Sequence, residues 1–317
     1  MAKKRSRSQA KMKTKIISAV LAIIIALIAF LLYEFVLKPE EETYDIPEGS
    51  CEFHMIDVGQ GDAILIRVGD KNILIDTSES GEKEKLVNYL KKYDVKELEY
   101  FVATHPDSDH IGNAAYVIEN YTIKNVILSP KEHTTKTYER MISAIEAKVE
   151  SGEIQNVINP QEEYPEIGYD GLGDSIMVGE LELKILGPIG TFSNNDNNNP
   201  SVVIMARWGN NKVLLTGDAE TKAEERIIEE YGSALKCDVL KVGHHGSHSS
   251  TWESGLLNYA KPAYATISCG TGNSYGHPHT EAMNALQEHN VTVYRTDLQG
   301  SIVVTSNGET ITITTEK

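Results

Sequence analysis

The sequence predicts an α/β domain of two β-sheets packed face to face with helices outside, preceded by one membrane-spanning helix. Three observations point that way. Short apolar runs of strand length recur from Glu52 almost to the end of the chain. In each half, a cluster of such runs gives way to runs that alternate with amphipathic segments of helical period. Ahead of them all, residues 16–33 carry no charge.

The first fifteen residues hold seven Lys and Arg and no acid. The run IISAVLAIIIALIAFLLY from Ile16 to Tyr33 follows; at ~1.5 Å per residue it extends roughly 27 Å, close to the hydrocarbon thickness of a bilayer. We therefore assign 1–15 as a basic cytoplasmic tail and 16–37 as a transmembrane anchor. The positive-inside rule then puts everything beyond on the extracytoplasmic side, in a single-pass protein of the cell membrane. A cleaved secretory signal is the alternative; its apolar core would be unusually long, and no small-x-small site precedes Pro39. Residues 38–50 are acidic, contain Pro39 and Pro47, and read as a linker. The domain proper is 51–317.

Within it, strands are expected at 52–58, 62–68, 72–76 and 98–104, then at 125–128, 181–186, 201–207 and 212–216. Further strands are expected at 237–242, 263–268, 291–295, 301–305 and 310–314. Amphipathic helices are expected at 82–93, 112–120, 135–150, 220–231, 253–260 and 280–289. The tight turn Gly69-Asp70-Lys71-Asn72 makes the early sheet antiparallel or mixed. SNNDNNNP at 193–200 reads as a polar loop.

Beyond the tail, 23 bases face 46 acids, a formal charge of −23. So acidic a body repels polyanions at long range, which counts against general nucleic-acid binding; bound metals or a local basic groove reverse that sign at one site. The three cysteines, Cys51, Cys237 and Cys269, form no paired motif, which excludes a disulfide scaffold and a cysteine-based zinc knuckle.

The chemistry is concentrated at strand ends. After the apolar FVAT comes His105-Pro106-Asp107-Ser108-Asp109-His110, in which four of six residues are metal-ligand types. A strand end delivers such residues to a sheet rim, where imidazole and carboxylate converge on one point. Gly217-Asp218 follows the strand KVLLT, and the glycine lets the aspartate approach a ligand closely. A third strand ends in Lys241-Val242-Gly243-His244-His245. Neighbours on an extended backbone point opposite ways, so one histidine is expected to bind metal and the other to support the pocket. His277, after the Gly-rich CGTGNSYG, reads as a substrate-contacting acid, and His279 as exposed. Asp57, Gln60 and Asp62 lie in an early turn, as caps or as site-lining residues.

These segments resemble the metallo-β-lactamase superfamily and, more narrowly, the hydrolase domain of ComEC-like DNA-uptake competence proteins. The likeness runs through HMIDVGQGDAILI (54–66), LIDT (74–77), THPDSDHIG (104–112), NNPSVV (198–203), LLTGDAE (214–220), DVLKVGHHGSHSS (238–250) and YGHP (275–278), in the family's order. It implies a four-layer αββα sandwich and two divalent ions, zinc or manganese, held by His105, Asp107, Asp109, His110, Asp218 and His244. It further implies that Asp218 bridges the ions, that His244 is the last ligand with His245 as runner-up, and that Asp76 orients the metal loop by hydrogen bonding. Two departures stand out: Asp107 replaces the second His of His-x-His-x-Asp-His, and no histidine lies between His133 and His244. Asn199 occupies the corresponding place and is expected to ligate weakly or hold a water. The oxygen-rich shell favours manganese relative to an all-histidine zinc site.

Two ions about 3.5–4 Å apart can share a hydroxide that attacks phosphorus or a carbonyl. Asp218 would orient it, and His277, or Lys241 if it points inward, would neutralise or protonate the leaving oxygen. The resemblance implies a phosphodiesterase or nuclease, with extracellular DNA as the substrate. An envelope phosphoester of the choline-phosphate type, or an inactive metal- or polymer-binding module, are the alternatives. No protein partner is identifiable.

Overall fold

The computed structural model describes residues 18–33, 44–251 and 254–317. The chain divides into two compact units, 1–44 and 45–317. In the first, residues 18–33 are helical. Among the described residues no helix is long and apolar enough to cross a membrane. Of the expected anchor, 16–37, only 18–33 are described; its ends, the basic tail and 38–43 of the linker lie outside the described residues.

The second unit contains two sheets. The first has eight strands in the order β15-β14-β1-β2-β3-β4-β5-β6. These are β1 Cys51–Met55, β2 Ile64–Val68, β3 Lys71–Ile75, β4 Glu97–Ala103, β5 Thr122–Leu128, β6 Asn156–Ile158, β14 Ile302–Ser306 and β15 Ile311–Thr315. The second runs β13-β12-β11-β10-β9-β8-β7. Its members are β7 Ser175–Val178, β8 Leu181–Gly187, β9 Val203–Trp208, β10 Asn211–Leu215, β11 Val239–Lys241, β12 Tyr264–Ile267 and β13 Thr292–Arg295. Each half begins antiparallel and turns parallel: β1, β2 and β3 are antiparallel, then β3 to β6 parallel; β7 to β10 are antiparallel, then β10 to β13 parallel. Every expected strand region is present. β6 and β7 were not expected; three and four residues are too few to show a period.

Strand alternation builds the layers. Ile64, Ile66, Val102, Val213 and Leu215 face a core between the sheets, together with Phe53, Ile185 and Ile204. Their neighbours Leu65, Phe101 and Ala103 face the opposite side, where α1 Lys83–Lys92, α3 Ala114–Asn120 and α4 Lys136–Glu150 cover them with Leu86, Leu90, Val117, Met141 and Ile145. On the second sheet, Leu214 and Leu240 face α5 Thr221–Tyr231, α6 Leu256–Ala260 and α7 Thr280–Glu288 through Ile227, Leu257 and Leu286. The result is the expected helix–sheet–sheet–helix sandwich. Short helices α2 Ser108–Ile111 and α8 Thr296–Gln299 complete it. Cys51, Cys237 and Cys269 are buried and unpaired.

Glu224 on α5 is 1% exposed and ties that helix to the segment after β11. Its carboxylate accepts from the Thr251 backbone N–H at 2.7 and 2.9 Å and from the Ser254 hydroxyl. Burial outweighs those hydrogen bonds and pushes its pKa up to about 7. The folded state therefore holds a proton that the unfolded chain, titrating near 4.5, releases. Glu224 contributes fully below that lower pKa, and its contribution is lost as pH rises towards 7, by up to about 3 kcal/mol. Chemical denaturation of the full chain and of Glu224→Gln between pH 4.5 and 8 tests this. The variant should lose the Glu224-dependent decline, whereas identical pH profiles would contradict the assignment.

Candidate metal centre

Parallel pairing places the C-terminal ends of β3 and β4, and of β10, β11 and β12, at the same edge of their respective sheets. Open α/β sheets gather ligands at such edges. Asp76 follows β3, the segment 104–110 follows β4, Asp218 follows β10, His244 and His245 follow β11, and the loop carrying His277 follows β12.

Asp76 is buried and holds the β4 loop. One oxygen, Oδ1, accepts from the Thr104 backbone N–H at 2.9 Å; the other, Oδ2, accepts from the Thr104 hydroxyl at 2.6 Å and from His110 Nδ1 at 2.7 Å. His110 donates from Nδ1 to Asp76 and turns Nε2 towards Asp218. Burial opposes its protonation, but Asp218 and Asp76 outweigh it and hold its pKa well above the usual range, so Nε2 gives up a proton when it takes an ion. Because the Thr104 hydroxyl proton is committed to Asp76, His105 Nδ1 at 3.1 Å is the donor to Thr104 Oγ1, and its Nε2 is bare. His245 repeats the pattern from the other sheet: Nδ1 donates to the Ser268 carbonyl at 2.9 Å and leaves Nε2 free. An imidazole anchored through one nitrogen has its tautomer and ring plane fixed for coordination through the other.

These nitrogens converge on Asp218. Its Oδ2 lies 3.3 Å from His110 Nε2, 3.5 Å from His245 Nε2, and 3.8 Å from both His105 Nε2 and His244 Nε2. Asp109 Oδ2 stands 3.3 Å from His245 Nε2, and His110 Nε2 is 3.3 Å from His245 Nε2. Gly217 makes the approach possible. Its φ is +53°, and a Cβ there would lie 3.1 Å from Thr104 Cβ and 3.2 Å from the Ser201 side chain. Gly61 does the same from the β1–β2 loop, where a Cβ would lie 2.3 Å from the Asp109 carbonyl oxygen. Electrostatics follow the crowding. Burial opposes ionisation of Asp218, but His110 and His245 outweigh it and hold the carboxyl well below the usual range. Burial, with His110 beside it, pushes His105 down to about 3.

Asp62, His110, Asp218 and His245 form a buried group whose donor atoms all lie within 4.8 Å of one another. His105 Nε2, Asp62 Oδ1 and Asp218 Oδ1 are buried without a hydrogen-bond partner. Facing lone pairs in a dry site are costly unless a cation reconciles them. The donor set, imidazole nitrogen and carboxylate oxygen, fits divalent metal ions.

The structure redistributes several expected roles. His244 and His245 do not lie on extended backbone: both are left-handed, at φ 44° and 54°, so alternation does not apply to them. His245 is the member of the tight donor group. His244 gives Nδ1 to Glu220 at 2.9 Å, and its side chain is 23% exposed. The resemblance favours His244 as last ligand, whereas the geometry places His245 deeper in the donor group and His244 at its open side. Asn199 does not offer an amide oxygen, because Oδ1 caps α5 by accepting from the Ala223 N–H at 2.9 Å. Lys241 cannot reach a leaving group: it is fully buried, with Nζ 2.8 Å from Asp62 Oδ2 and 3.0 Å from the Val242 carbonyl. Asp107 sits 4.0 Å from His105 Nε2 and accepts from Asn197 at 2.8 Å. His277 is 8% exposed, next to the rings of His244 and His245 at 5.4 and 6.0 Å. Burial, with His245 and His244 nearby, pushes it down to about 4. It is thus a neutral imidazole, able to hydrogen-bond rather than to act as an imidazolium acid. His279 is half-buried, with Nδ1 accepting from the His248 N–H at 2.9 Å.

Sequence reasoning did not single out Glu220 or Asn273, and left Asp62 as either a cap or a lining residue. Asn273 clamps the His277 backbone at both ends, donating to its carbonyl at 2.7 Å and accepting from its N–H at 3.0 Å. The one available signal was Glu220's position two residues after Asp218.

The metallo-beta-lactamase superfamily profile matches residues 56–270. The chain is 32% identical over 269 residues to ComE operon protein 3 of Bacillus subtilis, covering 79% of this chain and 32% of that protein. It is 29% identical over 259 residues to competence protein ComA of Neisseria gonorrhoeae, covering 81% and 32% respectively. Recombination protein 2 of Haemophilus influenzae is 32% identical over 254 residues, covering 78% and 28%. The chain thus spans about a third of the length of these curated relatives. A profile match over most of the domain, on a fold that gathers these donors at one edge, leads to one conclusion: the chain belongs to the metallo-beta-lactamase superfamily, as a metal-dependent hydrolase related to the competence proteins.

Proposed function

We propose that the domain is a dinuclear phosphodiesterase, held at the outer face of the cell membrane and acting on phosphodiester polymers such as DNA. The single observation that carries this reading is the meeting of four imidazole Nε2 atoms within 3.8 Å of one carboxylate oxygen, Asp218 Oδ2. One ion would take His105, Asp107 and Asp218; the other would take Asp109, His110, His245 and Asp218. Two such ions supply Lewis-acid charge and acidify water, the chemistry that hydrolyses phosphodiesters at neutral pH. Their positive charge supports an anionic substrate despite the acidic surface.

The chain's own residues divide the rest of the work. Asp218 keeps both donor sets at a common oxygen. Asp76 and Ser268 aim the imidazoles. His277, fixed by Asn273, presents an N–H to the leaving oxygen, and His244, backed by Glu220, flanks it on the open side. The uncharged helical residues 18–33 expose Ile23, Ile25 and Phe30, which supports attachment to lipid through that segment.

Four outcomes test the proposal in the full chain. With manganese or zinc it should hydrolyse single-stranded DNA and an activated aryl phosphodiester; two bound equivalents without turnover of either would refute the phosphodiesterase reading. Asp218→Asn should cut hydrolysis by about a hundredfold or more with circular dichroism unchanged, the scale of losing preorganised charge at a reacting centre. His277→Ala should keep its metal content and lose turnover, with a smaller defect on more acidic leaving groups. Loss of a metal equivalent would instead make His277 a ligand. Asp76→Asn should weaken metal binding by about 10–100-fold in chelator competition, as expected when a supporting hydrogen bond to ligating histidines is lost. Wild-type affinity in that variant would show that the β4 loop is held by other contacts.

A further inference from the structure

A lysine sits where an apolar residue belongs. On β11, Val239 faces the core between the sheets, and alternation turns Lys241 to the same side. The side chain has no solvent exposure, and its ammonium contacts Asp62 Oδ2 at 2.8 Å and donates to the Val242 carbonyl at 3.0 Å. Burying a charge there is costly even when paired, and swapping such a pair for apolar residues is often neutral or stabilising. Its location is what gives it meaning. Asp62 belongs to the group with His110, Asp218 and His245 whose donor atoms all lie within 4.8 Å of one another. Lys241 engages one Asp62 oxygen, while the other, Oδ1, is buried without a hydrogen bond and stands 3.7 Å from His245 Nδ1.

We propose that Lys241 is the internal counter-cation of the metal centre, a positioning residue that neutralises Asp62 and keeps it out of the ions' coordination. The backbone fixes Asp62 for this role: its N–H donates to the Asp109 carbonyl at 3.2 Å, and its carbonyl accepts from the Ser78 N–H at 2.8 Å. Charge accounting agrees. Asp62, Asp76, Asp107, Asp109 and Asp218 carry five negative charges when ionised, which two divalent ions and one ammonium balance. Without Lys241, Asp62 becomes a spare ligand and the centre binds cations harder; without Asp62, an unpaired ammonium repels them.

The inference rests on the metal-centre reading and makes a prediction of opposite sign from a purely structural ion pair. Manganese and zinc binding to the full chain is measured by chelator competition and elemental analysis for wild type, Lys241→Met, Asp62→Asn and the double variant. Lys241→Met should bind its tightest ion at least tenfold more strongly or gain an equivalent. Asp62→Asn should bind at least tenfold more weakly, and the double variant should return to within about threefold of wild type. A merely structural pair predicts weaker binding in both single variants, in proportion to lost stability, and weaker binding in Lys241→Met overturns the proposal. Unchanged affinity in Lys241→Met overturns it too. If Lys241→Met fails to fold, Lys241→Gln takes its place: tighter binding than wild type supports the proposal, and unchanged or weaker binding refutes it. Wild type that binds no ion defeats the metal-centre reading itself, an outcome distinct from all of these.

Discussion

The centre depends on one carboxylate that touches no reactant. Asp76 spends one oxygen on the Thr104 backbone and the other on the Thr104 hydroxyl and His110. Through those bonds it sets the start of the β4 loop, the tautomer of His110 and, by relay through Thr104, that of His105. The His110 bond points Nδ1 inward to Asp76 and Nε2 outward to Asp218, and the Thr104 hydroxyl does the same for His105 at one remove. A buried carboxylate with three donors is well satisfied. Its left-handed backbone, at φ 58°, is a strained conformation that the surrounding bonds hold in place.

Topology makes this convergence achievable. Each half of the domain runs antiparallel and then parallel, so the strand ends that carry chemistry emerge on one edge of each sheet. Glycines at 61 and 217 remove the side chains that would keep the loops apart. His245 reaches across from the second sheet, with Ser268 at the end of the neighbouring strand doing for it what Asp76 does for His110. The ligand set is therefore assembled from both halves of the chain.

Much of this was legible in the sequence, because strand-length apolar runs and the ligand-rich segments after them are local patterns. The layers followed from alternation: Ile66 and Val102 face one core, Leu65 and Phe101 the other. What was not legible is non-local or conformational. The left-handed turn at His244 and His245 is set by tertiary packing between Gly243 and Gly246, so the alternation expected of the pair did not hold. Asp62 looked like a turn cap because its partner Lys241 lies far along the chain on the other sheet. Asn199 stands where a ligand was expected, yet its amide caps a helix whose start lies more than twenty residues away. Lys241 was legible as a strand-end residue, but not as one turned into the core.

The central claim is that backing hydrogen bonds turn three imidazoles so that Nε2, and not Nδ1, meets the ions. Anomalous diffraction from manganese-loaded crystals tests it most directly. The account predicts two peaks flanking Asp218, bonded to Nε2 of His105, His110 and His245, with His110 Nδ1 still on Asp76. Coordination through Nδ1 of His110, or an ion held by His244 with His245 turned away, would contradict it.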